Sequence, residues 1–174
     1  MEGIDIDVAA VEQARENGVQ AFCSSLQEWP NHQSSISNQQ CYDLIVANPP
    51  YFRNSLKNPD KGRERARHTD TLSYEELIAH SARLLTEHGQ LALILPAEAE
   101  TEIRRLAAMC SLYCTHITRV YSKESKPARR VLLAFEKASI INQQSAIIED
   151  TLVLENETGG RSAAYSELCK EFYL

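Results

Sequence analysis

Residues 42–51 read YDLIVANPPY, an apolar run that stops at an asparagine and two prolines. A run of this length with few polar residues is typical of a strand in a sheet that is covered on both faces. The prolines fix two φ angles, lack N–H donors and hold the preceding residue extended. The stretch therefore predicts a central strand over residues 42–47 with a stiff exit.

Strand and helix patterns alternate on both sides of this stretch. Asp7 and the capping box that begins at Ser73 each predict the start of a helix. This alternation predicts an α/β fold, a three-layer sandwich in one domain over residues 1–174. The expected strands are 3–6, 19–23, 42–47, 90–95, 113–121, 130–135 and 147–154, and the expected helices are 7–16, 73–87, 97–111 and 162–173.

Polar side chains follow two of the predicted strands, at Asp5 and Asn48. In open α/β sheets, ligands bind beyond the carboxyl ends of the strands. The two side chains therefore indicate where a ligand site should lie.

The four residues Asn48, Pro49, Pro50 and Tyr51 suit one kind of chemistry. The Asn48 side-chain oxygen and the Pro49 carbonyl can each accept one hydrogen of a planar NH2 group. This pulls the nitrogen toward tetrahedral geometry and frees its lone pair for attack on an electrophilic carbon. Tyr51 and Phe52 could stack on the base that carries the amine. A plain turn that ends a strand is the alternative interpretation.

The basic residues are concentrated in two segments of an otherwise acidic chain. The formal net charge is -6, yet residues 53–68 and residues 119–130 each carry a net charge of +4. Such segments are often merely solvated, but they also fit a local phosphate-binding surface.

The remaining composition excludes several classes of protein. No apolar run approaches the roughly 20 residues that cross a bilayer, and the first residues are not a signal peptide. We therefore expect a cytoplasmic protein with no membrane partner. The five cysteines are odd in number and widely spaced, so we expect buried reduced thiols and no metal site.

Residues 42–51 resemble the catalytic motif of the class I, S-adenosylmethionine-dependent N-methyltransferases, and residues 3–7 (GIDID) resemble their second-strand motif. A more specific similarity is to the bacterial tRNA1(Val) adenine-37 N6-methyltransferases. It rests on residues 63–69 (RERARHT), 129–135 (RRVLLAF) and 164–168 (AYSEL), and on the ending FYL. The resemblance implies a Rossmann-like sheet, S-adenosylmethionine as cofactor, and tRNA as partner, with adenine 37 of the valine tRNA anticodon loop as the methylated base.

The resemblance also implies roles for individual residues. Asp5 would bind the cofactor ribose hydroxyls, Ile6 would pack on its adenine, and Ser25 would hydrogen-bond the adenine amine. Asn48 would serve both cofactor and catalysis, together with Pro49, Pro50 and Tyr51. The substrate RNA would be contacted by six residues of the basic segments and their surroundings: Phe52, Arg63, Arg65, Arg67, Arg129 and Arg130.

The sequence departs from the family pattern at its beginning. No glycine-rich G-x-G-x-G loop occurs, and the chain looks like a family member without its N-terminal portion, including the first strand of the sheet. We expect a sheet broken into two halves and weak or absent binding of S-adenosylmethionine.

Three other functions stay open. A protein glutamine N5-methyltransferase uses the same tetrapeptide on a carboxamide but has no need of two basic segments. A DNA adenine methyltransferase would call for a target-recognition domain that the length does not provide. The third is a catalytically inactive RNA-binding module. The oligomeric state is left open by the sequence.

Overall fold

Seven strands and four α-helices form the part of the chain that the computed structural model describes, residues 1–29, 42–49, 72–137 and 146–171. Their order along the chain is β1 (Glu2–Asp5), α1 (Val8–Glu16), β2 (Gln20–Cys23), β3 (Tyr42–Ala47), α2 (Tyr74–Leu84), β4 (Leu85–Pro96), a 3₁₀ turn (Ala97–Ala99), α3 (Glu100–Met109), β5 (Leu112–Tyr121), β6 (Ala128–Lys137), β7 (Ile148–Val153) and α4 (Ala163–Cys169).

The first two helices begin at the caps that the sequence predicts. The Asp7 side chain accepts a hydrogen bond from the Ala9 N–H at 2.9 Å, and α1 ends at Asn17, before Gly18 with a φ of +79°. At α2 the Ser73 hydroxyl accepts from the Glu76 N–H, and the Glu76 carboxylate accepts from the Ser73 N–H in return. These bonds satisfy backbone donors that a helix start leaves without partners.

The strands form two sheets, and the break that we expected is present. β1 and β2 pair in parallel as one sheet, while the other has the strand order β3-β4-β6-β5-β7. Strands β3, β4, β5 and β7 run in one direction and β6 runs against them. The amino ends of β1 and β3 are linked by side chains, because the Tyr42 hydroxyl donates to the Glu2 carboxylate and accepts from the Trp29 indole N–H.

Strand β4 is longer than the sequence predicts. The expected helix to residue 87 ends instead at Leu84, and Gly89 lies inside the strand rather than at a helix end. A Cβ on Gly89 would come within 2.7 Å of the Tyr42 carbonyl oxygen. The register between β3 and β4 also shifts between Tyr42 and Leu44. Glycine is therefore needed for the close approach of two backbones and not for helix termination.

One face of the five-stranded sheet carries the main core. Helices α2 and α3 lie against it, and their apolar side chains pack with alternate residues of β4, β5 and β6. The members that are fully buried include Ile78, Leu91, Leu95, Ile103, Ile117, Val131 and Phe135.

Among the described residues, the other face of β3 is exposed, whereas the sequence predicts a strand covered on both sides. Leu44 and Val46 of β3 are 55% and 71% exposed. Register places them on the same face as Ala92 of β4 and Ala134 of β6. Helices α2 and α3 occupy the opposite face, so the apolar alternation of β3 has no helix of the described chain against its second side.

No helix in the described ranges is both long enough and apolar enough to span a membrane.

Candidate active site at the carboxyl edge

The carboxyl edge of the five-stranded sheet is the edge where β3, β4, β5 and β7 end and β6 begins. Asn48 and Pro49 follow β3 directly at this edge. Asn48 is exposed, whereas Pro49 is buried. An exposed asparagine next to a buried proline is thus accessible to a substrate at this edge. Pro50 and Tyr51 lie outside the described residues.

The residues expected to hold the cofactor lie together at the ends of β1 and β2. The Ser24 N–H donates to the Asp5 carbonyl at 3.0 Å, and this bond joins the ends of the parallel strands β1 and β2. The Cys23 thiol contacts the Ile6 carbonyl at 3.8 Å. Asp5, Ile6 and Ser25 therefore share one end of the two-stranded sheet.

Each of these three groups has a defined local environment. One Asp5 carboxylate oxygen accepts from the Asp7 N–H at 2.9 Å, and the residue is exposed. Ile6 is 61% exposed beside it. The Ser25 hydroxyl accepts from the Glu28 N–H at 3.3 Å. An oriented carboxylate next to an exposed apolar side chain fits a ligand that carries both a diol and a flat ring.

Arg129 and Arg130 lie at the same edge as Asn48. Arg130 pairs with Pro96 at the end of β4, the strand between β3 and β6. Arg129 is exposed, and a guanidinium N–H of Arg130 donates to the Arg129 backbone carbonyl at 3.3 Å. With strands about 4.8 Å apart, β6 lies about 10 Å across the sheet from β3. The candidate RNA contacts Phe52, Arg63, Arg65 and Arg67 lie outside the described residues.

Another basic residue at this edge, Arg161, was not among the predicted site residues. It follows the turn after β7, and its backbone forms an isolated antiparallel β-bridge with the backbone of Glu155. The signal in the sequence that points to Arg161 is the pair Gly159-Gly160 directly before it. This pair does not match the G-x-G-x-G pattern of a cofactor loop.

The thiols differ from the expectation of burial. Cys23 is exposed, and Cys110, Cys114 and Cys169 are half-buried free cysteines, while Cys41 lies outside the described residues. Desolvation raises the pKa of the Cys114 thiol, so this sulfur is held in its neutral form. In the described ranges no group of three or more His, Cys, Asp or Glu side chains is arranged to hold a metal ion.

The fold and the strand-end arrangement define the class of protein, and comparisons with known structures agree. A predicted O-methyltransferase from Agrobacterium tumefaciens superposes with a TM-score of 0.63 at 16% identity, over 96% of this chain and 75% of that one. A Listeria monocytogenes protein described as a class I S-adenosylmethionine-dependent methyltransferase superposes with a TM-score of 0.57 at 15% identity, over 87% of this chain and 49% of that one. The fold is thus that of the class I S-adenosylmethionine-dependent methyltransferases, which confirms the predicted α/β, Rossmann-like class.

Sequence comparison narrows the class. The model of the Eco57I restriction-modification methylase family matches residues 2–121. The tRNA1(Val) (adenine(37)-N6)-methyltransferase of Phocaeicola vulgatus is 36% identical over 172 residues, which are 98% of this chain and 71% of the relative. The chain belongs to the family of this relative, the tRNA1(Val) adenine(37) N6-methyltransferases, as the resemblance predicted. S-adenosylmethionine is the methyl donor of the class.

Proposed function

We propose that this protein methylates the exocyclic N6 amine of an adenine in tRNA, with S-adenosylmethionine as donor. The observation that carries the proposal is Asn48, an exposed amide that follows the β3 strand at the carboxyl edge. The base would be adenine 37 of a valine tRNA, the target in the name of the relatives.

Asn48 and Pro49 would act on the amine by hydrogen bonding alone. The Asn48 side-chain oxygen and the Pro49 carbonyl would each accept one N–H, which orients the nitrogen and localises its lone pair. The residues are preorganised, since Pro49 is buried and has a fixed φ. S-adenosylmethionine supplies an electrophilic methyl group on a positively charged sulfur. Pro50 and Tyr51 would complete the corner and stack on the base.

The cofactor would be held at the ends of β1 and β2. The oriented Asp5 carboxylate would accept both ribose hydroxyls, because a carboxylate has enough lone pairs for a diol in addition to the Asp7 N–H. Ile6 would pack on the adenine ring, which explains its exposure, and Ser25 would meet the adenine amine.

The basic segments favour a nucleic acid over a peptide. Arg129 and Arg130 stand at the edge that also carries Asn48, where they would neutralise phosphates around a base that leaves its stack. A protein glutamine methyltransferase would not require these charges. A duplex DNA substrate is the third outcome of the test, and an inactive RNA-binding module is the fourth.

The test compares Asn48→Ala with the unchanged protein in transfer of tritiated methyl groups to tRNA, a glutamine peptide and duplex DNA. We expect label in tRNA, and a fall of about 100-fold or more in kcat for the variant with nearly unchanged RNA affinity. Asn17→Ala, a change at the end of α1, is the matched control and should keep full activity. Label found only in the peptide or only in duplex DNA would contradict the proposal, as would an Asn48→Ala enzyme of normal rate.

A separate measurement addresses the cofactor site. Because the sequence predicts weak binding of S-adenosylmethionine, its affinity is measured by calorimetry at high ligand concentration. Asp5→Ala should lower that affinity by a further factor of about ten, because a charge-assisted hydrogen bond is lost. Asp43→Ala is the control, since Asp43 lies at the amino end of β3, where its carboxylate accepts from the Thr86 hydroxyl at 2.9 Å. Equal affinities for the two variants would remove Asp5 from the cofactor site.

A further inference from the structure

Basic residues from two separate parts of the chain lie at the far end of the carboxyl edge. The loop between β5 and β6 contributes Lys123 and Lys126, the start of β6 contributes Arg129, and the turn after β7 contributes Arg161. We call these four residues the edge patch. Lys123, Lys126 and Arg129 belong to the basic segment 119–130, whereas Arg161 is distant from it in sequence, so it is the fold that adds Arg161 to the patch.

Backbone hydrogen bonds fix the turn against the hairpin. The Leu154 N–H donates to the Tyr121 carbonyl at 2.8 Å, and the Glu155 N–H donates to the Ser122 carbonyl at 3.0 Å. These bonds continue the pairing of β7 with β5 past the end of both strands. The segment that leads to Arg161 is therefore held beside Lys123.

The turn itself is closed by Asn156. Its N–H donates to the Gly160 carbonyl at 2.8 Å, and its side-chain oxygen accepts from the Gly160 N–H at 2.9 Å. Gly159 has a φ of +89°, a backbone conformation that would be strained in a residue with a side chain. A Cβ on Gly160 would lie 3.2 Å from the Asn156 side-chain nitrogen. The two glycines thus serve a tight turn that presents the next residue, Arg161.

Arg161 is oriented by the helix that follows. Its guanidinium carbon lies 5.7 Å from the centre of the Tyr165 ring, in a cation–π contact. The Tyr165 backbone is in turn held in the first turn of α4, because its N–H donates to the hydroxyl of Ser162, the cap of that helix, at 3.0 Å. Arg161 is exposed nonetheless. An exposed guanidinium that is already oriented by a neighbouring ring loses little conformational entropy when it binds a partner.

We propose that Arg161, supported by Tyr165, binds a phosphodiester of the substrate RNA at the far end of the carboxyl edge. The proposal rests on the proposed function, which supplies the RNA. A guanidinium matches the two oxygens of a phosphate with paired N–H donors and also stacks on unpaired bases. The contact extends the candidate RNA surface beyond the two basic segments of the sequence.

Distance is consistent with a backbone contact remote from the reacting base. Within the patch, the Glu155 carboxylate lies 3.7 Å from the Lys123 ammonium. Four strand spacings separate β3 from β7, which is about 19 Å. A strand whose target base lies at Asn48 would reach Arg161 with a neighbouring nucleotide.

The test measures the salt dependence of binding to a labelled anticodon stem–loop RNA. Arg161→Gln should weaken binding about fivefold at low salt and reduce the slope of log K against log salt by about 0.7 for the lost phosphate contact. The matched control is Arg83→Gln, an exposed arginine in the last turn of α2. It precedes β4, whose length places it about 35 Å from the carboxyl edge, so neither quantity should change.

Three outcomes separate this proposal from the proposed function. Equal slopes for Arg161→Gln and Arg83→Gln would overturn the Arg161 contact while leaving RNA methylation intact. Binding of RNA with the expected slope change, but without methyl transfer by the unchanged protein, would support the contact and contradict the activity. Absence of RNA binding by the unchanged protein would overturn both.

A second variant tests the role given to the ring. Tyr165→Leu keeps the charge of Arg161 and removes its support, so RNA affinity should fall about threefold with little change in the salt slope. A merely structural role for Tyr165 would leave RNA affinity unchanged after correction for folded fraction. That result would overturn the supporting role and assign any Arg161 contact to the arginine alone.

Discussion

The two faces of the five-stranded sheet are made of similar residues but have different surroundings. On one face, alternate side chains of β4 and β6 pack under α2 and α3 and are almost entirely buried. On the other face, Leu44, Val46, Leu132 and Ile148 remain 39% to 71% exposed. Apolar composition of a strand therefore predicts that it belongs to a sheet, but what covers each face is decided by elements elsewhere.

The exposed face is also next to the edge where the sheet is interrupted. β3 is the last strand of its sheet, and β1 and β2 pair separately. An edge strand with apolar side chains is a natural site of association. Stability should thus reside in the covered face, and solubility should depend on the other one.

The largest expected effect comes from a pair of neighbouring leucines on β6. Leu133 is 1% exposed on the covered face, and Leu132 is 39% exposed on the open face. Leu133→Ala should lower the free energy of unfolding by about 2–5 kcal/mol, since it leaves a cavity in the core. Leu132→Ala should cost about 1 kcal/mol or less. Urea denaturation measures both, and similar losses for the two variants would show that the faces do not differ.

Local signals in the sequence predicted most of the elements. Asp7 and the Ser73 capping box mark helix starts because a side chain bonds the helix's own backbone a few residues away. The β3 boundaries, Tyr42–Ala47, also match, because the prolines that end the strand act on their immediate neighbours.

The predictions from sequence were wrong where residues far apart in the chain contact one another. Gly89 lies in a strand because the Tyr42 carbonyl approaches it, a contact between residues far apart in sequence. The exposure of Val46 likewise depends on helices that pack on the opposite face. In the candidate site, Asp5 and Asn48 were predictable as strand ends, whereas Arg161 required the hydrogen bonds that bring the turn after β7 to the β5–β6 hairpin.

A smaller effect is expected at the start of α2, which covers the buried face. Ser73→Ala removes the capping hydroxyl and should cost about 1 kcal/mol at neutral pH. The hydrogen bonds from Ser73 lower the pKa of the Glu76 carboxyl below its usual value. A lowered folded-state pKa contributes stability above the unfolded-state pKa, and this contribution is lost as the pH falls through the folded-state pKa.

Stability of the unchanged protein should therefore decline below about pH 4.5, in part through Glu76. In Ser73→Ala that part of the decline should be somewhat weaker, because the Glu76 carboxyl loses the Ser73 hydroxyl donor and keeps the Ser73 backbone N–H as the main donor that lowers its pKa. Urea denaturation at pH 7 and at pH 4 gives the comparison. Parallel losses of stability in the two proteins would mean that the capping box does not contribute to the acid sensitivity.

The smallest effect on stability is expected on the open face, and it should be accompanied by a change in association. Val46→Lys places a charge at a side chain that is 71% exposed, so the free energy of unfolding should change by about 0.5 kcal/mol or less. Lysine on an edge strand also opposes pairing with another chain. Self-association measured by sedimentation should therefore decrease. The control, Val131→Lys on the covered face, should prevent folding because Val131 is fully buried. If Val46→Lys proved as damaging as its control, the open face would have to be covered in solution, and the contrast between the two faces would be wrong.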